Sequence, residues 1–248
     1  MQGAKGMTHP LPDEETLKAQ TFQQLLEQGL LREEDRVYWE LLTWRRLQKM
    51  LAVLRERTAH IVVGMEAVDD GHNQAAILRS ADAFGVQEVA VVTGRGGFAP
   101  SERVTQGAHK WLTIRRYRDI WEAMTTLRDR GYRIWASRLD PQAVPLQQVD
   151  LSRPAAFFFG NEHAGLSEEA LALADATFVI PMVGFAQSLN VSVAAAITLF
   201  HATHRARALL GERYPLPPEA QGRLLRQWLR IATPSVRRMA AQEGGNPP

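Results

Sequence analysis

The sequence predicts an α/β fold built on a parallel sheet, and three observations carry that prediction. From His60 onward short apolar runs alternate with amphipathic stretches. The runs are near-continuous in apolar residues instead of alternating with polar ones, and glycine- or proline-bearing loops follow several of them. Strands of that texture are buried on both faces, which requires helices on both sides of the sheet and parallel connections through them.

Taken in order, residues 1–8 read as a disordered leader, with Met7 an alternative start to Met1. Residues 13–28 predict a helix (Leu17, Phe22, Leu25, Leu26) stopped at Gly29. Residues 33–57 predict a longer one, because Val37, Leu41, Trp44, Leu51 and Leu54 recur near the 3.6-residue period. Trp39 and Trp44 are placed in a core or interface in preference to stacking on bases. The strand HIVVGM (60–65) is followed by a turn at Asp69-Asp70-Gly71 and a helix from Asn73 that ends at Gly85. Strands at 87–92, 132–137, 154–159 and 176–180 alternate with helices at 118–130 and 167–174. After Pro181 and a loop containing Gly184, Ser188-Leu189-Asn190 opens a last helix that carries Val193, Ile197 and Phe200 at i, i+4 and i+7.

Composition narrows the chemistry. The 248 residues contain no cysteine, so disulfides, thiolate nucleophiles and cysteine-based zinc sites are excluded. No apolar run reaches the ~18 to 20 residues of a membrane span, and no signal-peptide pattern opens the chain, so a cytoplasmic protein is expected. The seven histidines form no H-x-x-x-H pair with a partnering carboxylate, and His201 with His204 lacks a third ligand, so no metal is expected. The net charge of +2 is uneven: residues 203–248 carry eight basic and three acidic side chains, residues 151–202 one and four. A basic appendage beside a slightly acidic core suggests a polyanion partner. Within it Arg223, Arg226 and Arg230 share one face of a helix opposite Leu224, Leu225, Trp228 and Leu229.

In parallel sheets ligands collect beyond the strand carboxyl ends. Three loops there are chemically loaded: Ser137-Arg138, Gly160 to Gly165, and Val183 to Ser188. The second has neither the Lys-Ser/Thr of a P-loop nor the spacing of a dinucleotide fingerprint. Read singly, the polar residues are ordinary. Arg79 is a solvated arginine, Asn73 a helix N-cap, Glu162 and His163 exposed loop residues, and Ser188 or Asn190 either caps a helix or offers its side chain to a ligand.

In combination they resemble a known family. Asn73-Gln-Ala-Ala-Ile-Leu-Arg79 with Phe84-Gly85, then Phe159-Gly160-Asn161-Glu162 with Gly165-Leu166-Ser167, then Ile180-Pro181-Met182 with Ser188-Leu189-Asn190-Val191-Ser192, are similar in order to the three signature motifs of the SpoU (TrmH-like) RNA ribose methyltransferases. The segment Gly107-Ala108-His109-Lys110-Trp111 resembles the branch acting on tRNA guanosine. The resemblance implies the SPOUT α/β fold with a C-terminal trefoil knot, a feature that general topology rules would argue against. It also implies S-adenosyl-L-methionine as cofactor, RNA as partner (tRNA favoured, ribosomal RNA the alternative) and an obligate homodimer. A third reading keeps the fold as a non-catalytic RNA-binding module, which the intact motif set argues against. Carried over position by position, Asn73, Arg79, Glu162, Ser188 and Asn190 match the catalytic set. Ser137, Gly160, Ile180, Ser188, Leu189 and Asn190 match the cofactor-binding set. Arg79, Lys110, Arg223, Arg226 and Arg230 are the expected RNA contacts. The implied organisation is a helical extension over 1–58, the methyltransferase domain over 59–205 and a basic helical extension over 206–248.

Overall fold

The strands are β1 (Thr58–Glu66), β2 (Val86–Val92), β3 (Thr113–Tyr117), β4 (Arg133–Ser137), β5 (Val144–Pro145), β6 (Ala155–Phe159) and β7 (Ala176–Val179). The helices are α1 (Glu14–Glu27), α2 (Arg36–Glu40), α3 (Trp44–Glu56), α4 (Gly71–Ala83), α5 (Glu102–Thr105), α6 (Ile120–Asp129), α7 (Glu168–Leu173), α8 (Val191–Leu210) and α9 (Pro218–Ala232). These come from a computed structural model that describes residues 13–233. The leader with its two candidate start methionines lies outside the described residues.

Residues 56–216 form one unit, and residues 13–55 together with 217–233 form another. The larger unit holds a seven-stranded sheet in the order β3-β2-β1-β6-β4-β7-β5, with every neighbouring pair parallel. The alternation expected from the sequence is therefore present, and β3 and β5 add two edge strands that the apolar pattern does not mark. β6 is inserted between β1 and β4, so the connections diverge on either side of it, and loops at that reversal open a crevice at the strand carboxyl ends.

Side chains two apart share a face. Ile61, Val63 and Met65 of β1 and Phe157 and Phe159 of β6 pack with Ile77, Leu78 and Ala81 of α4 and Ala195, Leu199 and Ala202 of α8. Val62 and Phe158 face the opposite layer, made by Ala123, Met124 and Leu127 of α6 and Ala170 of α7. Gly64 pairs with Phe158 across the ladder, and a Cβ there would stand 2.4 Å from the phenyl ring. The aromatic thus occupies the volume that the glycine leaves. α8 runs to Leu210, past the boundary drawn at residue 205 from the motifs.

In the smaller unit the single helix expected over 33–57 is broken. A 3-10 turn at Glu33–Asp35 leads into α2, and α3 starts afresh at Trp44. The Thr43 hydroxyl accepts from the Arg46 amide at 3.3 Å, a local bond that starts α3. Lys18 Nζ donates to the Glu40 carbonyl at 2.8 Å and so satisfies the end of α2. The break rotates the buried stripe. Val37 and Leu41 are 50% and 57% exposed, while Trp39 and Leu42 are buried in their place. Trp39 packs on Phe22 with ring centroids 5.7 Å apart, as a core tryptophan would. α9 buries Leu224, Leu225, Trp228 and Leu229, as its spacing predicts.

Candidate active site

The site is assembled from three segments: the first turn of α4, the loop after β6, and the N-terminus of α8. The loop after β6 closes on itself, because Asn161 and Gly165 exchange both backbone hydrogen bonds at 2.9 Å. Gly160 lies so close to this closure that a Cβ would fall 2.1 Å from the Gly165 carbonyl carbon and 2.2 Å from the Leu166 nitrogen. Only hydrogen fits. The Asn161 carboxamide holds both ends, accepting from His163 N (2.9 Å) and Ala164 N (3.1 Å) and donating to the Ala67 carbonyl (2.9 Å). The loop continues into α7, whose N-cap Ser167 donates its hydroxyl to buried Glu66 at 2.6 Å.

Across from this loop, α8 begins at Asn190. Its Oδ1 accepts from the backbone amides of Ser192 (2.9 Å) and Val193 (3.3 Å). That commitment fixes the amide's orientation, and its Nδ2 donates to Asn73 Oδ1 at 3.1 Å. Asn73 Nδ2 is then turned to Glu162 and donates to Oε1 at 2.8 Å. Helix capping at one end therefore sets the direction of every bond along the path, and Glu162 receives a donor. Asn73 itself is not the N-cap that its position suggests. Asp70 is the cap, accepting from His72 N at 2.6 Å, because α4 starts at Gly71 and Asn73 already lies inside it. Nor does Ser188 cap α8; that role belongs to Asn190.

The loop after β6 and the start of α8, with the residues that follow β4 and β7, wall a cleft of about 570 Å³ at the carboxyl ends of these strands, within the ~300 to 1,000 Å³ usual for small-molecule sites; Asn73 joins it through its bonds to Glu162 and Asn190. Ser137, Gly160, Ile180, Ser188, Leu189 and Asn190, all six expected cofactor positions, line it together with Glu162. The structure thus brings Asn73, Glu162, Ser188 and Asn190 to one place. It does not bring Arg79 there. Arg79 is exposed six residues further along α4, roughly 9 Å down the helix axis at 1.5 Å per residue. Lys110 is exposed in a 3-10 turn at Ala108–Trp111.

The three tail arginines differ among themselves. Arg223 is exposed, whereas Arg226 donates to the Leu30 carbonyl at 3.0 Å and Arg230 lies 3.8 Å from buried Asp35. The uniform basic face expected there is therefore partly used inside its own unit. Sequence reasoning passed over Asn161 as a separate determinant; an Asn shortly before a glycine in a short loop signals an Asx turn and could have marked it. Among the described residues no cluster of three metal-ligating side chains occurs, and no helix is long and apolar enough to cross a membrane.

The fold and this cleft define an α/β enzyme that seats a small molecule at the strand carboxyl ends. Residues 60–200 match the model of the SpoU rRNA Methylase family, and the chain belongs to that family. It is 43% identical over 189 residues to the tRNA (guanosine(18)-2'-O)-methyltransferase of Thermus thermophilus, covering 76% of this chain and 97% of that protein. The crystal structure of the Aquifex aeolicus TrmH/SpoU tRNA modifying enzyme superposes with a TM-score of 0.69 at 36% identity, over 76% of this chain and 96% of that one. The AdoMet-bound rRNA methyltransferase from Sinorhizobium meliloti aligns with a TM-score of 0.53 at 29% identity, over 61% and 58%.

Proposed function

We propose that this protein transfers a methyl group from S-adenosylmethionine to the ribose 2′-hydroxyl of a guanosine in tRNA, with position 18, the target of its relatives, as the acceptor. The observation that carries the reading is the single cleft in which the six cofactor positions meet the Asn73–Glu162–Asn190 network. The lining suits the cofactor. A closed glycine loop presents backbone groups at Gly160, Ile180 and Leu189 supply apolar walls, and Glu162 supplies negative charge for a sulfonium. When bound, the cofactor supplies an electrophilic methyl group. The protein's part is alignment of the acceptor and management of its proton. Asn73 and Asn190 fix Glu162, and Ser188 offers a hydroxyl from the opposing loop. A guanidinium is a poor base, so Arg79 holds an RNA phosphate and stabilises charge developing on the attacking oxygen.

In this reading Arg79 is supplied to the cleft by a second copy, and α8 carries a surface suited to that. Val193, Ile197 and Phe200, 46%, 39% and 51% exposed, make an apolar stripe along it. Phe200 is braced by Phe84 at 5.6 Å and by His204 at 4.4 Å. α8 instead buries the face of Ala195, Thr198, Leu199, Ala202, Thr203 and Ala206 against its own unit. The functional form is accordingly a homodimer with shared sites, cytoplasmic, carrying the family's C-terminal knot and an RNA-facing role for Lys110 and the terminal extensions. Methyl transfer from labelled cofactor to bulk tRNA, with mass-spectrometric mapping of the modified nucleoside, tests the activity. A 2′-O-methylguanosine is expected; a base-methylated product or methylation of ribosomal RNA alone would overturn it. Light scattering at micromolar concentration tests the dimer, and Ile197→Asp is expected to yield an inactive monomer.

A further inference from the structure

A second cavity, of about 620 Å³, opens between the loop after β2, α5 and the edge strand β3, lined by Phe98, Pro100, Glu102, His109, Ile114 and Arg116. It is built as a site. The loop that forms one wall is pinned to the same first turn of α4 that carries Asn73. Buried Gln74 donates to the Gly97 carbonyl (2.9 Å) and accepts from Ala99 N (2.9 Å), and Ser101 N donates to the Gly71 carbonyl (3.0 Å). Arg116 and Ile114 point the same way from β3 by its two-residue period, and the Arg116 guanidinium lies over the Phe98 ring, 5.0 Å from its centroid. The Thr105 hydroxyl donates to the Glu102 carbonyl at 3.2 Å and lies 3.1 Å from His109 Nδ1.

The cavity therefore combines an aromatic ring, one guanidinium and one carboxylate. Among the bases only guanine offers two adjacent N–H donors, N1–H and the N2 amine, for a carboxylate, and an O6/N7 acceptor edge for an arginine. Adenine would turn the N1 lone pair toward Glu102. We propose that this cavity is a guanine subsite for the RNA substrate. The base packs beside Phe98, Arg116 meets its O6/N7 edge, and Glu102 reads its N1–H and N2 edge. The proposal rests on the RNA methyltransferase reading above. It makes Glu102 a specificity residue and Gln74 a positioning residue that holds the wall of the subsite to the catalytic turn.

The test has a binding arm and a kinetic arm. In the first, guanosine, inosine and adenosine 5′-monophosphates are titrated into the full-length protein while the His109 ring resonances are followed by NMR. Saturable shifts are expected with guanosine monophosphate, weaker ones with inosine monophosphate, which lacks the N2 amine, and none with adenosine monophosphate. In the second, Glu102→Gln, at an exposed position that tolerates the change, is expected to raise KM for tRNA by about 5- to 150-fold, the range of one bidentate base contact, with kcat and cofactor affinity near wild type. Arg116→Ala is expected to act in the same direction. A wild type that methylates tRNA while both variants keep its KM would overturn the subsite and leave the activity standing. Selective guanosine monophosphate binding by a protein that methylates no RNA would support the subsite and overturn the activity instead. Equal shifts with all three nucleotides would overturn the guanine assignment.

Discussion

Asn73→Ala removes the middle link of the path from α8 to Glu162, and its cost can be worked from the geometry. The side chain makes two bonds, a charge-assisted one to Glu162 Oε1 at 2.8 Å and a neutral one from Asn190 Nδ2 at 3.1 Å. Bonds to charged groups contribute about 1.5 to 3 kcal/mol and neutral ones about 0.5 to 1.5 kcal/mol. With Asn73 largely buried, the variant should lose about 2 to 4.5 kcal/mol in total. Part of this falls on stability, because Asn190 keeps its cap but leaves an amide unpaired. The rest falls on the placement of Glu162. The assay is a double-mutant cycle of Asn73→Ala and Glu162→Ala in kcat/KM and in urea unfolding. A coupling energy of about 1 to 3 kcal/mol is expected between contacting residues. Independent effects, with coupling under about 0.5 kcal/mol, would refute the idea that Asn73 acts by holding Glu162.

Gly160→Ala should abolish cofactor binding measured by calorimetry, because its Cβ would meet backbone at 2.1 Å on a loop that cannot retreat without breaking the Asn161–Gly165 pair. Arg79→Ala should leave cofactor affinity unchanged while lowering turnover on the order of 100-fold or more, and wild-type turnover would return it to an ordinary surface arginine. In the tail, filter binding across a salt series should show Arg223→Ala reducing tRNA affinity and its salt slope. Arg226→Ala and Arg230→Ala should chiefly lower the melting temperature, because those two side chains bond within their own unit. Burial lowers the pKa of His60 and of His201. Above the unfolded value of about 6.5 both states are neutral; as the pH falls below it the unfolded chain takes up protons that the folded one resists, so stability declines. Urea titrations should find that slope flattened in the His60→Gln, His201→Gln double variant.

The sequence by itself determined the parallel α/β unit, because strands buried on both faces must be written in apolar residues, and β1, β2, β4, β6 and β7 are. It also marked the three motif segments and the amphipathic pattern of α9, since each depends on spacing within a short stretch. It did not mark β3, whose sequence TIRRY sits at the sheet edge with Arg115 and Arg116 exposed, where burial no longer imposes an apolar pattern. Nor did it mark the break at 41–43, where tertiary bonds from Lys18 and the packing of Trp39 outweigh a regular period. On α8 the most visible apolar stripe, Val193, Ile197 and Phe200, is the exposed one, and the helix buries Leu199 among alanines and threonines. Periodicity reports that a face is apolar, but not which surface covers it. Asn73, Glu162 and Asn190 lie 89 and 117 residues from their partners in sequence. Which of them caps, which bridges and which receives the proton donor follows from distances that exist only once β1, β6 and the start of α8 are brought to the same end of the sheet.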